Sequence, residues 1–189
     1  MSDSLAGLRA ALLRHRPADE EEARHLRHIR AFVERHRDPF DRTIAEGHLT
    51  GSAFVLSPDG SRVLLLHHRK LERWLQPGGH ADPGETRGED VALREAREET
   101  AIDGLALHPG APRPLDVDVH RIPARGSEPA HDHLDLRYLV TAPPEAALSW
   151  REDESRDLRW FPWVELAALD LDPGLRRGLL KARRILAGP

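Results

Sequence analysis

The 189-residue sequence contains no cysteine, which excludes disulfide bonds, thiolate metal sites and cysteine nucleophiles. No apolar run approaches the roughly 20 residues that a membrane span needs. The N-terminus also lacks the charged and then apolar layout of a signal peptide. We therefore expect a soluble, cytoplasmic protein with no membrane partner.

An excess of charge of one sign is also lacking. The chain has 28 basic and 32 acidic side chains, which give a formal net charge of -4. With the two signs interspersed, no global field favours a nucleic acid, so we expect no nucleic-acid partner. Aromatic residues make up only 5% of the chain, but 39% of it is hydrophobic and 32% is charged, which is typical of a globular domain.

The first 45 residues predict an N-terminal helical extension. Residues 4–16 and 19–37 have helical patterns that are split by Pro17. The second helix carries an apolar stripe formed by Leu26, Ile29 and Val33. The stripe packs either on the main domain or on a second subunit. Because it lies outside the expected core domain, we predict that it helps to form a homodimer.

Residues 46–189 predict one α/β domain. Strands are expected at 51–56, 62–67, 74–76, 114–122, 133–141 and 156–161. Helices are expected at 90–100, 164–169 and 174–186. Strands mixed with helices in this order favour an α/β sandwich with a mixed β-sheet.

The residues that point to a chemistry lie between 79 and 102. On a helix, Glu95, Glu98 and Glu99 share one stripe about 100° wide. Three carboxylates this close repel one another unless cations neutralise them. Hard oxygen ligands select Mg²⁺ or Mn²⁺, which can activate a water and neutralise a leaving phosphate. Three glutamates alone would more often be a solvated helix face paired with arginines.

The surrounding residues favour the metal-binding interpretation, because they resemble the signature of the Nudix family. That signature runs glycine, five residues, glutamate, seven residues, and then Arg-Glu-aliphatic-X-Glu-Glu-X-Gly-aliphatic. The matching positions are Gly79, Glu85, Arg94, Glu95, Ala96, Glu98, Glu99 and Ile102. The resemblance implies a Nudix-like α/β/α sandwich and an enzyme that hydrolyses a diphosphate linkage.

The resemblance also implies roles for individual residues. The metal ligands would be three carboxylates and one backbone carbonyl: Glu95, Glu98, Glu99 and Gly79. Arg94 would orient Glu95, and Glu85 would brace the loop before the helix. The general base stays open among Glu95 and two residues of a later acidic run, Glu152 and Glu154.

Two positions depart from the signature. Eight residues instead of seven separate Glu85 from Arg94, and Ala101 stands where the pattern has glycine. We place the extra residue near Gly88, where it leaves the spacing of the carboxylates unchanged but shifts Glu85. A left-handed helix end costs about 1–2 kcal/mol without glycine, so we expect another geometry at Ala101.

Further polar residues alternate along two predicted strands. The first strand has Asp116, Asp118 and His120, and the second has His131, His133 and Asp135. If the strands pair, these side chains share one face, which either points to water or contacts a substrate or an accessory metal. We take His131 and His133 as candidate substrate-binding residues that affect substrate choice more than cleavage. Arg69 is a further candidate for contact with phosphate, with a solvated strand end as the alternative.

The expected substrate is a nucleoside diphosphate linked to another moiety. The family's sequence markers for ADP-ribose, dinucleoside polyphosphates, coenzyme A and NADH are not recognisable, so a nucleotide sugar is the preferred candidate. The alternative is a nucleotide-binding sensor module that does not hydrolyse its ligand. Such modules commonly lose the carboxylates of the signature, whereas this chain keeps all three. The isomerase branch of the family resembles a cysteine-dependent site, and the missing cysteine excludes it.

Overall fold

Helices and strands follow one another in a computed structural model that describes residues 2–126, 129–144, 148 and 155–188. The α-helices are α1 (Ser2–Arg14), α2 (Glu20–Arg35), α3 (Gly88–Thr100) and α4 (Pro173–Ala187). The strands are β1 (Gly47–Leu56), β2 (Arg62–His68), β3 (Arg73–Leu75), β4 (Gly78–His80), β5 (Ala106–Leu107), β6 (Asp116–Ile122), β7 (His131–Thr141) and β8 (Ser155–Pro162). The α-helix predicted at 164–169 is wrong. A short 3₁₀ helix, Leu166–Ala168, takes its place, because so short a segment cannot propagate an α-helix.

The strand β1 lies at the centre of the sheet. It pairs in parallel with β7 along its whole length, from Gly47 opposite Asp132 to Leu56 opposite Thr141. Its other edge pairs antiparallel with β4 and then with β2. The strands β5 and β6 pair antiparallel with β7, and β3 and β8 pair antiparallel with β2. The result is one mixed sheet, as predicted.

Helices cover both faces of this sheet. One hydrophobic cluster joins α1, α2 and α3 to the sheet, and a second joins α4 to the opposite face. Both approaches are close. A Cβ on Gly51 would lie 2.6 Å from the carbonyl oxygen of Gly88 in α3, and a Cβ on Gly178 of α4 would overlap with the ring of Phe54. The predicted α/β/α sandwich with N-terminal helices is confirmed.

The second helix belongs to the core of the same chain. Asp19 caps it by accepting a hydrogen bond of 2.8 Å from the amide of Glu22. Leu26, Ile29 and Val33 are each at most 5% exposed and pack in the cluster that includes β1 and α3. The stripe therefore has its partner within the chain and no longer argues for a homodimer. None of the helices in the described residues is long and apolar enough to cross a membrane.

A buried carboxylate connects α2 to α4. Glu22 is fully buried and pairs with Lys181 of α4. Its oxygens also lie 2.7 Å from Nε2 of His15 and accept a hydrogen bond of 2.6 Å from the amide of Ala18. Burial by itself raises the pKa of Glu22, but these hydrogen bonds outweigh burial and lower the pKa to about 2. Glu22 is therefore ionised in the folded protein, and it holds the N-terminal helices to the domain.

Replacing Glu22 by Gln should lower the free energy of unfolding at pH 7 by about 3 kcal/mol, because Lys181 then loses its nearer carboxylate and retains that of Asp116, which is 3.5 Å away. Because the folded-state pKa lies below the unfolded value, the stabilisation is present above about 4.5 and is lost as the pH falls towards 2. Denaturant titrations across this range, with the exposed Glu20→Gln variant as control, measure both effects. A Glu22→Gln variant as stable as the control at pH 7 would contradict this role.

The end of α3 differs from the expectation. Ala101 has φ 54° and ψ 22°, which is the left-handed conformation, and its amide donates to the carbonyl of Arg97 at 2.8 Å. The other geometry that the missing glycine led us to expect is therefore wrong. Ile102 is 1% exposed, and this buried anchor directly after the helix fixes the direction in which the chain must turn. The alanine consequently carries the strain.

Replacing Ala101 by Gly should raise the free energy of unfolding by about 1 kcal/mol, because glycine adopts the left-handed conformation without steric cost. For a chain of this size, the midpoint of thermal unfolding should rise by about 2–4 °C. The matched control is Ala23→Gly inside α2, where the same change should destabilise the helix. Equal shifts of the same sign in the two variants would show that Ala101 is not strained.

Candidate functional site

Two of the three glutamates of the stripe, Glu95 and Glu99, contact the strand β4. The backbone pairing of Gly79 with Gly51 places β4 beside the start of α3. Gly79 lies directly against Glu95, since a Cβ on this glycine would be 2.6 Å from the carboxyl carbon of the glutamate. The amide of Gly78 donates a hydrogen bond of 2.8 Å to Glu99. The strand and the helix therefore form one unit in which backbone groups and carboxylates face each other.

Arg94 lies in the middle of the acidic side chains. Its guanidinium donates to Glu85 at 2.9 Å, to Glu95 at 3.1 Å and to Glu98 at 3.3 Å. It also donates to the carbonyl of His80 at 2.6 Å. Despite the extra residue before α3, Glu85 thus still reaches Arg94, and it also accepts a hydrogen bond of 2.8 Å from the amide of Asp82. These contacts fix the loop between β4 and α3.

The charges around Arg94 are not balanced. Its guanidinium contacts Glu85, Glu95 and Glu98 and lies 3.5 Å from Asp82, so four carboxylates share one positive charge. Burial raises the pKa of Glu95, although Arg94 partly opposes this. Burial also raises the pKa of Glu85, but hydrogen bonds from Arg94 and Asp82 outweigh it and lower that pKa. The cluster offers hard oxygen ligands, and its negative charges outnumber the positive charge of Arg94. It therefore fits a divalent cation such as Mg²⁺ or Mn²⁺.

The polar face predicted on β6 and β7 is formed and is mostly buried. The two strands pair antiparallel, with Asp118 opposite Asp135 and His120 opposite His133. Asp118, Asp135 and His131 are at most 9% exposed. The side chain of His120, on the same face, is more accessible, at 46%. This polar face is therefore not an exposed surface of the sheet, which was one of the two alternatives from the sequence.

Its aspartates are neutralised by buried arginines. Arg137 donates to Asp118 at 2.9 Å and to Asp135 at 3.0 Å. Arg177 of α4 donates to Asp116 at 2.8 Å. Asp135 also accepts hydrogen bonds from two hydroxyl groups of β1, those of Thr50 and Ser52. These carboxylates are paired inside the protein, and the pair of Asp116 with Arg177 attaches α4 to the sheet.

The histidines of this face have neighbours that the sequence analysis did not single out. Nε2 of His133 lies 3.0 Å from Nε2 of His80. The ring centroid of His48 lies 5.0 Å from the ring centroids of His80, His131 and His133. Burial, with the neighbouring cationic groups, lowers the pKa of His80 to about 4 and that of His133 to about 2. These two imidazoles are therefore neutral at pH 7.

A pattern in the sequence indicated His48 and His80 only weakly. His48, Thr50 and Ser52 alternate along β1 and so share a face, and His80 directly follows the first glycine of the signature. Their proximity to His133 depends on the parallel pairing of β1 with β7, which joins segments more than 80 residues apart. Local periodicity does not reveal such a pairing.

The remaining candidates are Arg69, Glu152 and Glu154. Arg69 is exposed in the turn that follows β2, on a different element from both the carboxylates and the histidines. Glu152 and Glu154, the two candidates for a general base outside the signature, lie outside the described residues.

Comparisons with known proteins agree with this architecture. The model of the NUDIX domain family matches residues 48–182. The fold is similar to that of a C. elegans Ap4A hydrolase in a binary complex, with a TM-score of 0.59 and 20% identity over 75% of this chain and 98% of that one. It is also similar to RenU, a Nudix hydrolase from M. smegmatis, with a TM-score of 0.53 and 23% identity over 75% of this chain and 87% of that one.

A third similar structure is the NUDIX domain of Shewanella oneidensis NrtR complexed with ADP ribose. Its TM-score is 0.52, with 20% identity over 82% of this chain and 97% of that one. No curated protein matches the sequence. At these identities the solved structures show the fold alone, whereas the family model covers most of the chain and includes the carboxylate stripe. The chain therefore belongs to the Nudix family.

Proposed function

We propose that the protein is a hydrolase dependent on Mg²⁺ or Mn²⁺ that cleaves the diphosphate linkage of a nucleoside diphosphate derivative, with a nucleotide sugar as the preferred substrate. Glu95 lies against Gly79, Glu99 accepts a hydrogen bond from the amide of Gly78, and Glu98 shares Arg94 with Glu95. These contacts of the stripe with β4 and Arg94 are the observation that carries this proposal. An acidic cluster that served only as a solvated helix face would not need to be pressed against a glycine strand and organised by a shared arginine.

In this proposal, Glu95, Glu98, Glu99 and the carbonyl of Gly79 hold the cation. A bound cation lowers the pKa of a water and neutralises charge on the leaving phosphate. Water attacks one phosphorus of the diphosphate, the bond from that phosphorus to the bridging oxygen breaks, and the water's proton passes to a general base. Arg94 orients Glu95 through the hydrogen bond of 3.1 Å. The base is proposed among Glu95, Glu152 and Glu154.

Two of the similar structures support a small nucleotide-derived substrate. One is an Ap4A hydrolase, and the other is a NUDIX domain complexed with ADP ribose. The sequence markers for these two substrates are not recognisable in this chain, which leaves a nucleotide sugar as the preference. A cytoplasmic location stays a prediction from the sequence, whereas the homodimer has lost its argument, because the apolar stripe of α2 packs within the chain.

Replacing Glu98 or Glu99 by Gln should reduce the turnover that depends on Mg²⁺ at least about 100-fold, because each change removes one ligand charge while keeping the side-chain volume. Folding should be preserved, since Glu98 is largely exposed and relief of repulsion offsets the change. The matched control is Asp90→Asn on the same helix, which removes a carboxylate outside the stripe. The measurement is the release of phosphate-containing products from a panel of nucleoside diphosphate derivatives.

Near-native turnover in a folded Glu98→Gln or Glu99→Gln variant would refute the proposed mechanism. The sensor alternative predicts a different pattern. In that case the unaltered protein would bind a nucleotide from the panel and release no product with either metal ion. Calorimetric binding of the same panel beside the hydrolysis assay distinguishes the two functions.

We also propose that His131 and His133 affect the choice of substrate, and that Arg69 contacts phosphate. Replacing both histidines with alanine should raise KM or reorder the panel, with a smaller effect on kcat, because these histidines lie on β7, outside the carboxylate stripe of α3. An unchanged KM and kcat for every substrate in the panel would remove the histidines from the substrate site.

A further inference from the structure

Three imidazoles from three different strands converge at one end of the sheet. His48 lies on β1, His80 on β4 and His133 on β7. The register explains the convergence, because His48 is directly opposite His133 and His80 is opposite Thr50, two residues along β1. One ring nitrogen of each histidine lies within 4.8 Å of the others. Sheet pairing thus holds all three rings on one face.

We propose that His48, His80 and His133 form a second metal site, one that binds a divalent transition-metal ion and suits Zn²⁺ best. Neutral imidazole is a preferred ligand of Zn²⁺. At Zn–N distances of about 2.0–2.1 Å, tetrahedral ligand atoms lie about 3.4 Å apart. The Nε2 atoms of His80 and His133 are separated by 3.0 Å, so small side-chain rotations bring them to this spacing. Three histidine ligands leave the fourth position for a water.

The arrangement of the nitrogens supports a ligand rather than ordinary packing. The Nε2 atoms of His80 and His133 point at each other. In the metal-free protein, one of the two nitrogens therefore donates its hydrogen to the other. The ring of His48 completes the group, and this histidine is 1% exposed. A cation placed among the three rings would interact with all three nitrogens at once. The buried aspartates nearby are already paired with Arg137 and Arg177, so they leave the histidines as the available donors of this group.

This site is separate from the carboxylate cluster. Consecutive residues of a strand point to opposite faces, so Gly79 faces α3 and Glu95 while the side chain of His80 lies on the other face with His133. The two sites also differ in chemistry. Carboxylates favour Mg²⁺ or Mn²⁺, whereas imidazoles favour Zn²⁺. Zinc binding can therefore be measured without any hydrolysis, and the proposal does not depend on the substrate.

The experiment begins with the full-length protein stripped of metal. Titration with Co²⁺ should give the intense visible absorption of a tetrahedral site with nitrogen ligands, and competition with a chromogenic chelator should give one tightly bound Zn²⁺ per chain. An excess of Mg²⁺ should not displace it. Replacing His80 or His133 by Asn should weaken Zn²⁺ binding at least about 100-fold, since loss of a direct ligand exceeds the effect of losing a supporting one. His48→Gln should do the same.

Two control variants make the result specific. His28→Gln removes an exposed histidine of α2, and Glu98→Gln removes a carboxylate of the other site; both should keep the affinity of the unaltered protein for Zn²⁺. Circular dichroism establishes which variants are folded, and the Co²⁺ spectrum of the unaltered protein needs no substitution at all. A spectrum typical of octahedral oxygen coordination, or folded His80→Asn and His133→Asn variants with unchanged Zn²⁺ affinity, would overturn the proposal.

Discussion

The close approach of the strand Gly78–His80 to its neighbours on both sides is the constraint on which the site depends. A Cβ on Gly78 would overlap with Cβ of Ser52, and one on Gly79 would lie 2.6 Å from the carboxyl carbon of Glu95. Only glycine at these two positions allows β4 to contact both β1 and α3 this closely. The same strand gives a backbone amide to Glu99 and a carbonyl to Arg94. The position of β4 between these neighbours therefore helps to fix the positions of the glutamates of α3.

The carboxylates on the two faces of the sheet differ in their charge balance. On the helix α3 side, several carboxylates share Arg94, and the remaining negative charge calls for a cation. On the opposite face, Arg137 and Arg177 neutralise the aspartates of β6 and β7, and this buried network secures α4. Buried pairs of this kind are costly to break from one side. The carboxylates around Arg94 thus keep an excess of negative charge that a cation can neutralise, while the aspartates of β6 and β7 stabilise the fold.

Much of the fold could be predicted from the sequence, because periodicity and turn residues determine most helices and strands locally. The stripe Glu95, Glu98 and Glu99 could be predicted for the same reason, since its spacing is a property of one helix. Features that depend on pairing between distant segments could not be predicted. The core position of Ile29 and the meeting of His48 with His133 arise from contacts across the sheet and between layers.

Ala101 shows a different limit. The sequence indicates that a left-handed helix end is unfavourable for alanine, but the chain adopts it, with φ 54°. The packing of Ile102 outweighs a local cost of about 1–2 kcal/mol. A propensity of that size is readily overridden by tertiary contacts, because burial of one large aliphatic side chain contributes about 1.5–3 kcal/mol.

We propose that the glutamates of α3, held against β4, form the site of the hard cation. Electron paramagnetic resonance of Mn²⁺, titrated into the metal-free protein and into its Glu99→Gln variant, tests this site. The unaltered protein should remove free Mn²⁺ from solution, Mg²⁺ should displace the bound ion, and the variant should bind Mn²⁺ at least about 10-fold more weakly. Equal Mn²⁺ binding by the folded variant and the unaltered protein would contradict it.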